Sequence, residues 1–119
     1  MDTRLINKDG QSYLECLADG GVLKSEADAL DLVAACGENG VERLLLHAEN
    51  LDDDFYNLKS GLAGAALLKF SNYFIKAAAV IPAEIANQGR FGEMVLETNR
   101  GSAFRVFQDE DKAVAWLIK

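Results

Sequence analysis

Apolar residues occur along the chain either in short runs that suit strands or at the spacing that suits one face of a helix. Near the start, one apolar segment contains Leu5 and Ile6, and a second runs from Tyr13 to Leu17. The step between them, Asp9-Gly10, is typical of a two-residue hairpin turn. The sequence therefore predicts that the chain opens with a β-hairpin.

Three later runs have the composition of further strands. Residues 43–47 and 74–81 are almost continuously apolar, and residues 104–107 form a shorter run. Continuous apolar runs are typical of strands that are buried on both faces of a parallel sheet. Pro82 ends the second run, and we expect residues 82–89 to form a mobile loop because little in their sequence would order them.

Helical signals separate these runs. Ser25 followed by Asp28 resembles a capping box and begins a helix that ends near Gly37. We expect its inward face to contain Leu30, Val33 and Ala34. A second helix places Phe91, Met94, Val95 and Thr98 on one face and ends near Gly101. Asp109 caps a last helix, which turns Ala113, Trp116 and Leu117 inward.

Residues 57–70 contain a helix that is apolar almost all the way round. Ser60 suits its N-cap, and Lys69 is its only charged residue after the start. One face consists of Ala63, Ala66, Leu67 and Phe70, and the opposite face consists of Gly61, Gly64, Ala65 and Leu68. The first face is predicted to lie on the sheet. The second is predicted to contact either a partner or second copy, or the helix of residues 90–100 in the same chain.

The order of these elements predicts the fold class. Strands and helices alternate after the hairpin, so right-handed crossovers build a mostly parallel sheet with one antiparallel edge. The 119 residues suit one compact α/β domain spanning residues 1–119.

Charge and composition exclude several function classes. The net charge is −7, and residues 1–60 carry 13 acidic and 5 basic side chains, which argues against a nucleic-acid surface. We find neither a signal peptide nor an apolar run that could span a membrane, so we expect a cytoplasmic protein. Cys16 and Cys36 are expected to be reduced core thiols, and no set of residues has the spacing of a metal site.

Several stretches carry a resemblance to known families. Leu44-Leu45-Leu46, a polar loop and then Ser60-Gly61-Leu62-Ala63-Gly64 resemble the strand, loop and helix start of STAS domains, the anti-sigma-factor antagonists. Over most of its length the chain more closely resembles a small bacterial family of domains of unknown function, numbered four-one-eight-zero. The matching stretches are residues 54–64, 69–73 and 97–101.

The resemblance implies a STAS-like fold and no established activity. In STAS antagonists a serine at the helix start is phosphorylated by a partner kinase, which makes Ser60 a candidate phosphoacceptor as well as a helix cap. Leu58 and Lys59 stand where those proteins have an aspartate and a first serine.

The remaining candidates are charged residues near strand and helix ends. Lys59, Arg90 and His47 are candidate contacts for an anion or small ligand, since Arg90 lies near a helix start and His47 follows a buried strand. The acidic side chains after His47 could assist chemistry there or simply be solvated; they are Glu49, Asp52, Asp53 and Asp54.

Two function classes remain open after these observations. The leading hypothesis is a non-enzymatic regulatory or protein-binding module that uses the face of Gly61, Gly64, Ala65 and Leu68 for a partner or for self-association. The alternative is a small-ligand or anion-binding domain, with or without weak hydrolytic activity. We expect no catalytic residue, cofactor, metal, nucleic acid or membrane contact in the leading case.

Overall fold

The computed structural model describes residues 1–119 and shows one five-stranded sheet with helices on both faces. The strands stand side by side in chain order, with β1 antiparallel to β2 and all later neighbours parallel. This confirms the predicted α/β class with an N-terminal hairpin and a mostly parallel sheet. The strands are β1 Thr3–Lys8, β2 Gln11–Cys16, β3 Arg43–His47, β4 Lys76–Val80 and β5 Phe104–Phe107.

Six helices connect and cover the strands. Three of them are crossovers between parallel strands that follow one another in the sheet, and right-handed crossovers place them on the same face. The last helix follows β5 and packs on the opposite face. The helices are α1 Glu26–Glu38, α2 Asp53–Tyr56, α3 Leu62–Asn72, α4 Ala83–Ala86, α5 Gly89–Thr98 and α6 Glu110–Leu117.

The sheet therefore separates two hydrophobic cores of unequal size. The larger contains 24 buried residues between the sheet and α1, α3 and α5, whereas the smaller contains 7, four of which belong to α6 itself. Strand alternation divides the central side chains, because Leu44 and Leu46 face the larger core and Leu45 faces the smaller. Most of the stabilisation from apolar burial thus comes from the three-helix face.

Three segments differ from the sequence-based predictions. The strand predicted for residues 74–81 begins only at Lys76, and Phe74 lies outside it with 81% of its surface exposed. Residues 82–89 are partly helical rather than an irregular loop throughout, since α4 spans Ala83–Ala86 after its N-cap Pro82 and α5 begins at Gly89. The acidic stretch is also ordered, because the side chain of Asp52 accepts a hydrogen bond from the amide of Asp54 and caps α2.

Helix α1 begins at its predicted cap but turns a different face inward. Ser25 accepts a hydrogen bond from the amide of Asp28, as the sequence indicates. The prediction that Leu30 and Ala34 face inward is wrong, since both are exposed. A different face of the helix is buried, and it is displaced from the predicted one because successive helical residues point about 100° apart. The buried residues are Ala29, Leu32 and Cys36, and Val33 is half-buried.

Helix α3 divides into the two faces that its sequence indicates. Ala63, Ala66 and Phe70 are buried against the sheet, and Leu67 is half-buried. On the other side, Gly61, Gly64 and Leu68 are exposed and Ala65 is partly exposed. Lys69 forms an ion pair with Glu26 of α1, with 3.0 Å between Nζ and Oε1.

Both cysteines are free and buried in the larger core. Burial raises the pKa of the Cys16 thiol to about 12, with a further contribution from Cys36, and burial raises that of Cys36 to about 11. Neither side chain is therefore a reactive thiolate near neutral pH.

A fully buried asparagine ties three segments together beside β3. The Asn50 side chain accepts a hydrogen bond from the His47 amide at 2.9 Å. Its Nδ2 donates to the carbonyl oxygens of Leu17 at 2.8 Å and Gly21 at 3.1 Å. The side chain thus joins the end of β2, the turn that follows it and the end of β3.

We predict that Asn50→Ala lowers the free energy of unfolding by about 2–4 kcal/mol, because it removes three buried hydrogen bonds, and of the three groups only the Leu17 carbonyl keeps another backbone partner, the Gly20 amide. Urea unfolding followed by circular dichroism measures the change. Asn72→Ala at the exposed end of α3 is the matched control and should shift the free energy by less than about 0.5 kcal/mol. Equal effects of the two substitutions would contradict the assigned role of Asn50.

Candidate functional site

The turn that joins α3 to β4 holds a phenylalanine in the left-handed region. Phe74 has φ of 60°. Its amide donates to the carbonyl of Ser71 at 3.1 Å, and the amide of Ile75 donates to the carbonyl of Phe70 at 2.8 Å. This pair of hydrogen bonds is the Schellman motif, in which Phe74 occupies the left-handed C′ position.

Helix α1 ends with the same motif but with glycine in that position. Gly40 has φ of 66° and donates to Gly37 at 3.1 Å, while Val41 donates to Cys36 at 3.0 Å. Glycine is usual there because it has no Cβ, whereas other residues lose about 1–2 kcal/mol in the left-handed region. The ring of Phe74 recovers little of this by burial, since the residue is 81% exposed.

An apolar groove opens beside this turn, between α3 and the segment from the end of α5 to the start of β5. Its volume is about 500 Å³, and 58% of the Leu68 surface at its edge is exposed. A smaller cavity of about 240 Å³ shares four residues with it, Ser71, Ile75, Ser102 and Ala103, and extends to Phe74 and Lys76. The residues of the apolar groove include Gly64, Leu67, Leu68, Ile75, Thr98 and Phe104.

Four cations form what we term the basic cluster: Arg43, Lys76, Arg105 and Lys119. Strand alternation places Lys76 on the α6 face of the sheet, opposite α3, and Lys76 is the member of the cluster that also lines the smaller cavity. None of the four takes part in an ion pair of the structure. Burial lowers the pKa of Lys76, and the charges of the other three members lower it further. The basic cluster is thus a positive region without acidic partners in a chain of net charge −7.

The ring of Trp116 in α6 orders two of these cations. Lys76 Nζ donates to the Trp116 carbonyl at 2.8 Å and lies 4.4 Å from the centre of the ring. The guanidinium carbon of Arg105 lies 5.2 Å from the same centre. Cation–π attraction to the indole therefore holds both side chains at the edge of the smaller core.

Lys59 and Arg90 from the sequence-based candidates come together in a different cavity. It has a volume of about 680 Å³ and lies where α5 begins. Gln88, the N-cap of α5, makes no capping hydrogen bond with its side chain, and no acidic residue stands in the first turn. The other residues of this cavity include Tyr56, Leu58, Glu84, Ile85 and Phe91.

His47 lies apart from that pair, because strand alternation directs it to the α6 face of the sheet. Its Nε2 is 2.8 Å from Glu15 Oε2 and 3.5 Å from Glu110 Oε1. Glu15 also accepts a hydrogen bond from Arg4 at 3.0 Å. Burial raises the pKa of the Glu15 carboxyl, but the hydrogen bonds from His47 and Arg4 outweigh it and leave the pKa below its usual value. The carboxylates of residues 49–54 are not part of this cluster.

Ser60 lies at the other end of α3 from Phe74, in the last position of a short 3-10 turn. Its hydroxyl donates to the carbonyl of Asp54 and accepts from the amide of Leu62 at 3.2 Å. Gly61 is the N-cap residue of α3, so Ser60 contributes to the helix start from one position earlier. Phosphorylation of this hydroxyl stays a prediction, and it would require the hydrogen bond to Asp54 to break.

Sequence reasoning missed three features of these regions. Phe74 was assigned to a strand, and the basic cluster was not considered as a unit. The carboxylate partners of His47 were sought in the wrong segment, although Glu15 stands between Leu14 and Cys16 in an apolar strand. A charged residue in such a run indicates a buried polar contact and could have identified Glu15.

None of the helices is long and apolar enough to cross a bilayer.

Comparisons with known proteins identify a family but no activity. No curated protein and no solved structure shows significant similarity to the chain. A family described as a domain of unknown function, DUF4180, matches residues 8–117. Because this match spans nearly the whole chain, the protein belongs to the DUF4180 family.

Proposed function

We propose that this domain is a non-enzymatic protein-binding module that recognises an acidic segment carrying an apolar side chain. The apolar groove receives the apolar side chain of the partner, and the ring of Phe74 packs against that side chain. The basic cluster contacts the acidic residues of the partner. Gly64 and Leu68 of the predicted interaction face line this groove, and Gly61 and Ala65 lie on the same side of α3.

Phe74 is the observation that carries this proposal. The left-handed backbone conformation disfavours phenylalanine at this position. Because the ring is exposed to water, its burial within the chain does not offset that cost. Contact with a partner would bury the ring, and aromatic side chains are enriched among the residues that dominate binding energy. The conformation also orders the Phe74 backbone before binding, which reduces the entropy lost on association.

The basic cluster favours an acidic partner over a second copy of this chain. Burial lowers the pKa of Lys76 and the other three cations lower it further, so the charges of the cluster repel one another in the free protein. Carboxylates of a partner would relieve that repulsion. A twofold dimer brings the same patch of both copies together, so the two basic clusters would face each other wherever they lie close to the twofold axis. We therefore propose a heterologous partner.

The resemblance to STAS domains supports the same class of function. The proposal accordingly includes regulation through a protein partner in a bacterial cytoplasm, with Ser60 as a candidate modification site. Ser60 and Phe74 lie at opposite ends of α3, so phosphate on Ser60 would act on the helix start rather than on the groove itself.

We predict that Phe74→Gly stabilises the protein by about 0.5–1 kcal/mol. Glycine removes the strain of the left-handed conformation, and the greater conformational entropy of glycine in the unfolded chain offsets only part of that gain. Chemical denaturation measures the change. The same variant should bind the acidic probe described next at least about tenfold more weakly, since it lacks the ring. Leu96→Ser is the matched control, because Leu96 is 69% exposed but lines a separate cavity beside β5.

The probe is an array of 12-residue peptides with one central leucine or phenylalanine and flanks that vary from all-acidic to all-basic. We predict that the full chain binds acidic peptides at least about tenfold more tightly than neutral ones, and that added salt weakens this binding. Arg43→Glu should abolish the acidic preference, whereas Lys24→Glu, which reverses an exposed cation outside the basic cluster, should preserve it. Equal binding of acidic and basic peptides would overturn the proposal.

A second candidate function is anion binding, and the shared cavity of Lys59 and Arg90 favours it. The amides of the first turn of α5 and the two cations are all suited to phosphate or carboxylate. His47 does not line this cavity, so the base that the hydrolytic alternative would have used is absent from it. The second candidate is therefore binding without hydrolysis.

We predict that inorganic phosphate shifts the NMR amide signals of Gly89 and Arg90 with a saturable dependence on concentration. Arg90→Gln should weaken this binding at least about fivefold, since it removes a charge-assisted contact worth roughly 1–2 kcal/mol. Arg100→Gln is the control, because Arg100 is paired with Glu97 on an exposed turn. Shifts that do not saturate, or equal weakening in both variants, would exclude this candidate.

A further inference from the structure

One histidine and two glutamates from three different elements converge on the α6 face of the sheet. Glu15 comes from β2, His47 ends β3 and Glu110 begins α6. One ligand atom from each, Glu15 Oε2, His47 Nε2 and Glu110 Oε1, lies within 4.8 Å of the other two. We propose that these three side chains bind a first-row divalent cation, with Zn²⁺ as the best match.

The spacing of the three atoms supports this assignment. Two ligand atoms on one tetrahedral zinc ion stand about 3.3 Å apart when each lies about 2.0–2.1 Å from the metal. Here His47 Nε2 is 2.8 Å from the Glu15 oxygen and 3.5 Å from the Glu110 oxygen. Shifts of a few tenths of an ångström would bring these two contacts to that spacing, and the two glutamate oxygens lie within 4.8 Å of each other.

Neighbouring residues hold two of the three ligands in place, and the third ligand lies on the solvent side of the cluster. The Glu15 and His47 side chains are only 10% and 13% exposed, whereas that of Glu110 is 55% exposed. The second oxygen of Glu15 accepts from Arg4, and the backbone of His47 donates to Asn50. Such outer contacts orient ligands toward a metal, and the solvent side near Glu110 leaves room for a water as fourth ligand.

The ligand types discriminate among cations. Imidazole suits zinc and other first-row transition metals, whereas Mg²⁺ prefers an all-oxygen octahedron that retains several waters. The Glu15 and Glu110 carboxylates both approach the imidazole of His47, and a divalent cation at that point would attract both of them. The Arg4 side chain is 63% exposed, so it has room to move away from the bound cation.

Calorimetric titration of the full chain with zinc chloride tests the site. We expect one equivalent of Zn²⁺ to bind in a saturable manner and Mg²⁺ to bind at least about a hundredfold more weakly. Glu110→Gln should weaken zinc binding at least about tenfold, because it removes one ligand while leaving a half-exposed helix position folded. Asp53→Asn, at an exposed acidic position in α2, is the matched control and should bind as the unaltered chain does.

NMR of the imidazole supplies a second readout that a general change in folding would not imitate. His47 is the single histidine of the chain, so its ring signals need no assignment among others. Zinc should shift its Nε2 resonance in proportion to the calorimetric saturation. Absence of one-equivalent binding, an unmoved imidazole signal, equal affinity in Glu110→Gln, or equal affinity for Mg²⁺ would each overturn the proposal.

Discussion

The right-handed crossover between adjacent parallel strands is the constraint on which the arrangement of this molecule depends. Because β2 to β5 follow one another across the sheet in one direction, all three crossover helices must lie on the same face. Only α6, with eight residues, remains to cover the other face. That face therefore keeps polar side chains at both ends of α6, with Glu15 and His47 near its start and Lys76 and Arg105 near its end. These charges also suit the helix dipole, since Glu110 stands in its first turn and cations lie near its last residues.

Local signals explain the parts of the fold that the sequence predicts correctly. The Asp9-Gly10 turn shows positive φ at both residues, as a hairpin of this length requires, and Asp109 caps α6 through its own side chain. Helix α1 shows the limit of such signals, because its cap is correct while its buried face is rotated by one residue. The cap depends on residues three apart, whereas the face depends on how closely Ala29 and Cys36 let the helix approach the sheet.

The candidate sites were harder to predict because distant residues assemble them. The sequence identifies Lys59, Arg90 and His47 as candidate anion contacts, but only the packing of α5 beside the turn after α2 shows that Lys59 and Arg90 share one cavity. His47 was recognised as following a buried strand, but its partners were sought among residues 49–54. Which residues of neighbouring strands lie side by side on one face of the sheet follows from the register of pairing. The parallel pairing of β2 with β3 places Glu15 beside His47 on the same face. Register of this kind is a tertiary property that periodicity along the chain does not contain.

Phe74 shows how a backbone requirement and a side-chain function can be separated. The chain must reverse direction between Phe70, buried in α3, and Lys76, where β4 begins, and the Schellman hydrogen bonds demand a left-handed residue at that point whatever its side chain. Glycine meets the same demand at Gly40 with no strain from a Cβ atom. The fold therefore accounts for the conformation of Phe74 but not for its ring, which contributes little to either core. The ring is exposed beside the cavity that adjoins the apolar groove and contains Lys76, and this exposure is the basis of the proposed contact with a partner.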